Sequence, residues 1–163
     1  MLMMRGMAAL AALAASTALA AAGTACYTAS DLTADQAMKY QTELMVYSDT
    51  CSRGNSFTNF LIHNKAAITE YQHQLVERYR AAGVHGAEIA LDNYLTYLAN
   101  QVSLLINGQP TGSFCNDKER YFAEAEALNA ESLRHLVEAR AAEHQKEYVR
   151  CVAKADATGN AGR

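Results

Sequence analysis

The sequence predicts an all-α fold, an up-down-up-down four-helix bundle closed by two disulfides, and three observations predict it. From Asp31 onward apolar residues recur at helical spacing, no segment alternates with period two for long, and the interruptions are short and rich in Gly, Ser and Asn. Short connections between long helices make sequential neighbours antiparallel.

The first helix is expected over about 32–50, capped by Asp31 or Thr33, with Ala37, Tyr40, Gln41, Leu44, Tyr47, Ser48 and Cys51 along its inner stripe. The second, over about 56–81, carries Phe57, Phe60, Leu61, Asn64, Ile68, Tyr71 and Leu75 at amphipathic spacing, and Gly83 and Gly86 punctuate its end. Leu91, Tyr94, Leu95, Leu98, Val102, Leu105 and Ile106 mark a third over about 87–106, stopped by Asn107-Gly108. After a loop over 109–113, a fourth begins at Asn116 or Asp117 and continues to about 154. Phe122, Ala125, Asn129, Ser132, Leu133 and Leu136 face inward along it.

Half of the 163 residues are apolar and 19% are charged, which describes one domain able to bury a core and excludes a disordered chain. With 14 Lys and Arg against 17 Asp and Glu, the net charge of -3 and the lack of any basic run exclude a nucleic-acid surface. Residues 1–25 read as a signal peptide: Arg5, then an Ala-Leu run, then small residues. The apolar run is too short to span a bilayer, which takes roughly 20 residues, so no transmembrane helix is expected after cleavage. The bundle then occupies 26–155 and a flexible tail 156–163, and the location is periplasmic or secreted. Cleavage sites ending at Ala20, Ala22 or Ala25 all fit. The last would also fit a lipoprotein anchored through Cys26, in which that cysteine forms no disulfide.

Four cysteines allow three pairings. In an up-down-up-down course Cys51 and Cys115 fall at one end, and Cys26 and Cys151 at the other. A bundle roughly 30 to 40 Å tall, with disulfide Cα atoms limited to about 7 Å, then favours Cys51–Cys115 and Cys26–Cys151. Thiol chemistry has little support, because there is no Cys-x-x-Cys and the spacings suit no metal knuckle.

Cofactor chemistry is expected to be absent, and no metal site or catalytic residue is assigned. The single Glu-x-x-His, Glu70 to His73, points away from the apolar stripe of its helix, whereas a di-iron bundle needs two such pairs facing in. Covalent haem lacks its motif, and Met38 or Met45 with His144 make a poor non-covalent pair. The five His residues are dispersed, no Gly-x-Ser-x-Gly occurs, and no pair of carboxylates is expected inside. The chain therefore reads as a non-enzyme.

One polar constellation falls on the core faces. Gln41 and Asn64 should share a layer, with Asn129 about a turn lower. Such a layer fixes helix register through mutual hydrogen bonds. The alternative is the floor of a small-ligand pocket lined by Tyr40, Tyr47, Tyr71 and Tyr94.

The stretch Tyr40-Gln41-Thr42-Glu43-Leu44-Met45-Val46 leading to Cys51, then Asn59-Phe60, Leu95-Thr96-Tyr97-Leu98-Ala99-Asn100 and Phe114-Cys115, resembles an uncharacterised family of small secreted, cysteine-containing helical proteins of the bacterial envelope. That resemblance implies an envelope location and the Cys51–Cys115 pair, and no activity. The expected function is binding or assembly with a protein partner in the envelope. Its contact patch is sought on the Ala-rich distal half of the fourth helix. The alternatives are a bundle carrying a small ligand or haem, or an envelope inhibitor of the lysozyme-inhibitor type acting through the loop at 108–113.

Overall fold

The computed structural model describes residues 26–151; the expected signal peptide, the end of the fourth helix and the tail lie outside the described residues. Within them the chain forms five helices rather than four. They are α1 (Ala29–Thr50), α2 (Gly54–Ala81), α3 (Ala87–Ile106), α4 (Thr111–Ala127) and α5 (Ala130–His144), followed by a 3-10 turn at Gln145–Glu147. The described residues hold no strand, only an isolated parallel bridge between Tyr27 and Arg150.

Helix α1 starts earlier than expected because Thr28, not Asp31 or Thr33, is its cap. The Thr28 hydroxyl accepts from the Asp31 N–H at 3.1 Å, and the Asp31 carboxylate accepts from the Thr28 N–H at 2.9 Å. This reciprocal arrangement satisfies two otherwise orphaned donors and sets a negative charge at the positive end of the helix. α1 packs against all four other helices. From Asp31 to Met38 only Thr33 is not buried, and the small Ala34 and Ala37 let neighbouring backbones approach closely. Leu44, Phe60, Leu75, Leu133 and Val137 complete the centre of the core.

The expected fourth helix is two. α4 begins at Thr111, directly after Pro110, so half of the anticipated 108–113 loop is its first turn. At Leu128 and Asn129 the backbone is extended, with ψ of 132° and 176°. Asn129 then caps α5: its side-chain oxygen accepts from the N–H groups of Glu131 and Ser132, each at 3.0 Å, and Ser132 returns a bond to the Asn129 N–H. The inward periodicity of Phe122, Ala125, Leu133 and Val137 runs through the break, which is why spacing alone reads as one helix.

Disulfides join Cys51 to Cys115 and Cys26 to Cys151, with Cα atoms 5.5 and 4.8 Å apart. One ties the end of α1 to the start of α4, and the other ties the residues before α1 to those after the 3-10 turn. α1 and the α4–α5 pair therefore run in opposite directions. With their cysteines 64 and 125 positions apart, each bridge restricts the unfolded chain by about 4 kcal/mol in the chain-entropy account. Two disulfides are compatible with an oxidising extracellular compartment. No described helix is long and apolar enough to cross a membrane.

Replacing Asn129 with Ala should cost about 1 kcal/mol in urea unfolding, the usual value of a lost cap. A neutral result would mean that α5 starts without it.

Candidate functional site

The most constrained chemistry lies at the Cys26–Cys151 end of α1, around a carboxylate that its sequence neighbours do not mark as buried. Asp35 is 1% exposed, on the part of α1 that is buried nearly all round. Its Oδ1 accepts from the Tyr94 hydroxyl of α3 at 2.5 Å, and its Oδ2 accepts from the Tyr148 hydroxyl. Lys39, one turn on, brings its ammonium to 3.3 Å from Oδ2 and donates to the Tyr148 oxygen at 2.6 Å. Gln36 Nε2 donates to that same oxygen at 3.1 Å. A phenol has one proton and two lone pairs, so Tyr148 is fully satisfied: Asp35 takes the proton, and Gln36 and Lys39 fill the lone pairs.

Tyr148 reaches this position because the segment after the 3-10 turn is pinned to the N-terminal residues. The Tyr27 N–H donates to Val149 O at 2.8 Å and the Cys151 N–H donates to Tyr27 O at 3.1 Å, beside the disulfide. The rings of Tyr27 and Tyr148 meet edge to face at 4.9 Å, and the Arg78 guanidinium lies 3.5 Å from the Tyr27 ring centre. The cluster thus closes the bundle end, with its polar atoms committed to one another.

A second polar contact sits midway along α1. Arg140 of α5 makes a bidentate pair with Glu43 at 2.8 and 3.0 Å, beneath a cluster of Tyr40, Tyr47, Phe114 and Tyr121 whose rings meet at 5.3 to 5.4 Å. Glu43 therefore serves as an ion-pair partner. Glu70 and His73 are both exposed. No group of three His, Cys, Asp or Glu fit to hold a metal ion occurs among the described residues.

The expected layer of Gln41, Asn64 and Asn129 does not assemble. Asn129 is exposed, because the helix break turns it into a cap. Asn64 is buried and donates to Phe60 O at 2.9 Å and to Leu128 O at 3.0 Å, so it satisfies a carbonyl freed by that break. Gln41 is half-buried, and its Oε1 and Asn64 Oδ1 have no hydrogen-bond partner. Of the four tyrosines expected around a pocket, Tyr94 binds Asp35 and Tyr40 packs against Phe60 and Tyr121.

The exposed apolar surface also differs from expectation. The distal part of the fourth helical segment buries Val137 and Ala141, while Ala139 and Ala142 are exposed. Large apolar side chains stand out instead on α3: Ile89, Tyr97, Leu104 and Leu105 are 67, 56, 64 and 73% exposed. At the end of that helix lies an open groove of about 640 Å³, lined by Thr50 of α1, Asn100, Ser103 and Leu104 of α3, Gln109 and Thr111. The sequence held a signal for this face: no charged residue occurs between Asp92 and Asp117.

Comparison with protein-family models, with curated proteins and with solved structures returned no match for this chain.

Burial raises the phenols of Tyr94, Tyr148 and Tyr121 above their ordinary value of 10.0, with nearby carboxylates adding to it, and pushes Tyr40 up to about 12. A phenol with a raised folded pKa holds its proton more tightly in the folded state. The stability it gives is complete below pH 10 and is lost as pH rises through the folded value. In an alkaline titration followed at 295 nm, part of the tyrosine signal should therefore appear only at or above pH about 12, together with loss of helical circular dichroism. Ionisation of all nine tyrosines near pH 10 with the helices intact would contradict these burials.

Proposed function

We propose that this chain is an exported, non-enzymatic helical protein of the bacterial envelope that acts by binding or assembly, through the outer face of α3 and the turn that follows it. The observation that carries the reading is the exposure of Tyr97, Leu104 and Leu105 on a surface without charge. Depletion of charge around aromatic and aliphatic anchors is what distinguishes the centre of a protein interface from ordinary surface. Export is supported by the signal-like segment 1–25 and by all four cysteines being spent in disulfides, with Cys26 engaged to Cys151 rather than free for a lipid. A non-enzymatic role is supported by Asp35, whose carboxylate is closed off behind Tyr94 and Tyr148.

The test places a photo-crosslinking residue at Leu104, and a control at the exposed Glu143 of α5, in the full-length protein made in its source cell. Discrete adducts from position 104 in the envelope fraction, absent from position 143, are expected. The reading fails if position 104 gives no adduct.

A further inference from the structure

We infer that the occupant of this face is a second copy of the chain, lying antiparallel along α3 about a two-fold axis between residues 96 and 97; the inference rests on α3 being the contact face. At 100° per residue, Ile89, Asn93, Thr96, Tyr97, Asn100 and Leu104 fall within a sector of roughly 100°, and all six are exposed. Read in either direction the outer positions alternate aliphatic then amide, with the unlike pair Thr96 and Tyr97 at the centre. Reversing the helix about the point between 96 and 97 exchanges Ile89 with Leu104, Asn93 with Asn100 and Thr96 with Tyr97. A two-fold interface requires this self-complementarity, because each patch must receive its own copy.

In that pairing Ile89 packs beside Leu104 of the second copy, and the two Tyr97 rings meet next to the axis. The carboxamide of Asn93 reaches that of Asn100 in the second copy, twice by symmetry, and such amide pairs in an apolar seam fix orientation and register. The Thr96 and Ser103 hydroxyls are already satisfied within α3: Thr96 donates to Asp92 O at 2.9 Å and Ser103 to Ala99 O at 2.8 Å. Covering them leaves no donor stranded.

Charge does not oppose this occupant. The chain carries a net charge of -3, and the other helices bear ion pairs on their surfaces, including Arg120–Glu124 and Arg134–Glu138. Between Asp92 and Asp117 there is nothing to repel a second acidic copy, and nothing to attract an anionic or basic partner. A helix of 20 residues is about 30 Å long, so its face covers on the order of 300 Å² per copy. That is less than half of the about 800 Å² per partner in a standard interface, so the dimer is weak and concentration-dependent.

Sedimentation velocity on the oxidised protein from the envelope tests this directly. Monomer at about 1 μM passing to a substantial dimer fraction at about 100 μM is expected, as for a weak association. Tyr97→Glu places two like charges beside the axis and should reduce the association constant at least about tenfold. Asn93→Lys with Asn100→Glu sets a Lys opposite a Glu of the second copy twice, and should keep the dimer while making it salt-sensitive. These side chains are exposed, so melting temperatures should not move, and a thermal scan of each variant checks that. A protein monomeric throughout, or a dimer indifferent to Tyr97→Glu, overturns the inference. If Leu104 cross-links to a different protein while the chain stays monomeric, the contact face stands and the second copy does not; if Leu104 cross-links to nothing, both fall.

Discussion

A single carboxylate ties α3 and the segment after the 3-10 turn to the central helix α1. Asp35 lies where α1 is enclosed by its neighbours, and an ion there is tolerable only if its oxygens are filled by donors held in place. Tyr94 supplies one donor from α3 and Tyr148 another from the last segment, while Lys39 balances the charge. The two tyrosines are 59 and 113 residues from Asp35 in sequence, so the contact orders α3 and the C-terminal segment against α1 together. The Cys26–Cys151 bridge and the Tyr27 backbone pairings then hold Tyr148 in reach. Removing the carboxylate would strand two phenol donors and leave the Lys39 ammonium without its counter-charge, whereas losing an exposed ion pair such as Arg120–Glu124 leaves only solvated groups.

The same arrangement separates the tasks of the molecule. Polar groups with strong chemistry are turned inward and matched to one another at Asp35 and at Glu43–Arg140. Beyond Asp92 the outward surface of α3 carries instead uncharged amides and large apolar side chains. At these two sites the polar groups are matched to one another, whereas the contact face proposed on α3 is uncharged. The Cys51–Cys115 bridge lies at the end of α1 and in the first turn of α4, so it braces the turn beyond that face.

Much of the helical course was legible in the residues. Apolar spacing located the ends of α1, α2 and α3 at Thr50, Ala81 and Ile106, because a Gly follows each within a few positions. The break before α5 was not legible from spacing, since the inward stripe keeps its phase through Leu128 and Asn129. The signal lay in the Asn129 to Ser132 capping pattern, which also explains why Asn129 left the expected polar layer. Asp35 was missed for a different reason: flanked by Ala34, Gln36 and Ala37, it reads as a solvated helix position. Its burial depends on Tyr148, in a segment expected to be helical. The α3 face was hidden because its inward leucines account for the helix without reference to its outer side.

The most direct test of the central claim is a double-mutant cycle in guanidinium unfolding, with Asp35→Asn, Tyr148→Phe and the pair, disulfides intact. Each single change should cost about 2 kcal/mol, as for hydrogen bonds to a charged group, and the two should be coupled by at least about 1 kcal/mol. Single losses below about 0.5 kcal/mol that simply add would contradict the account, because the C-terminal segment would then be held by its disulfide alone.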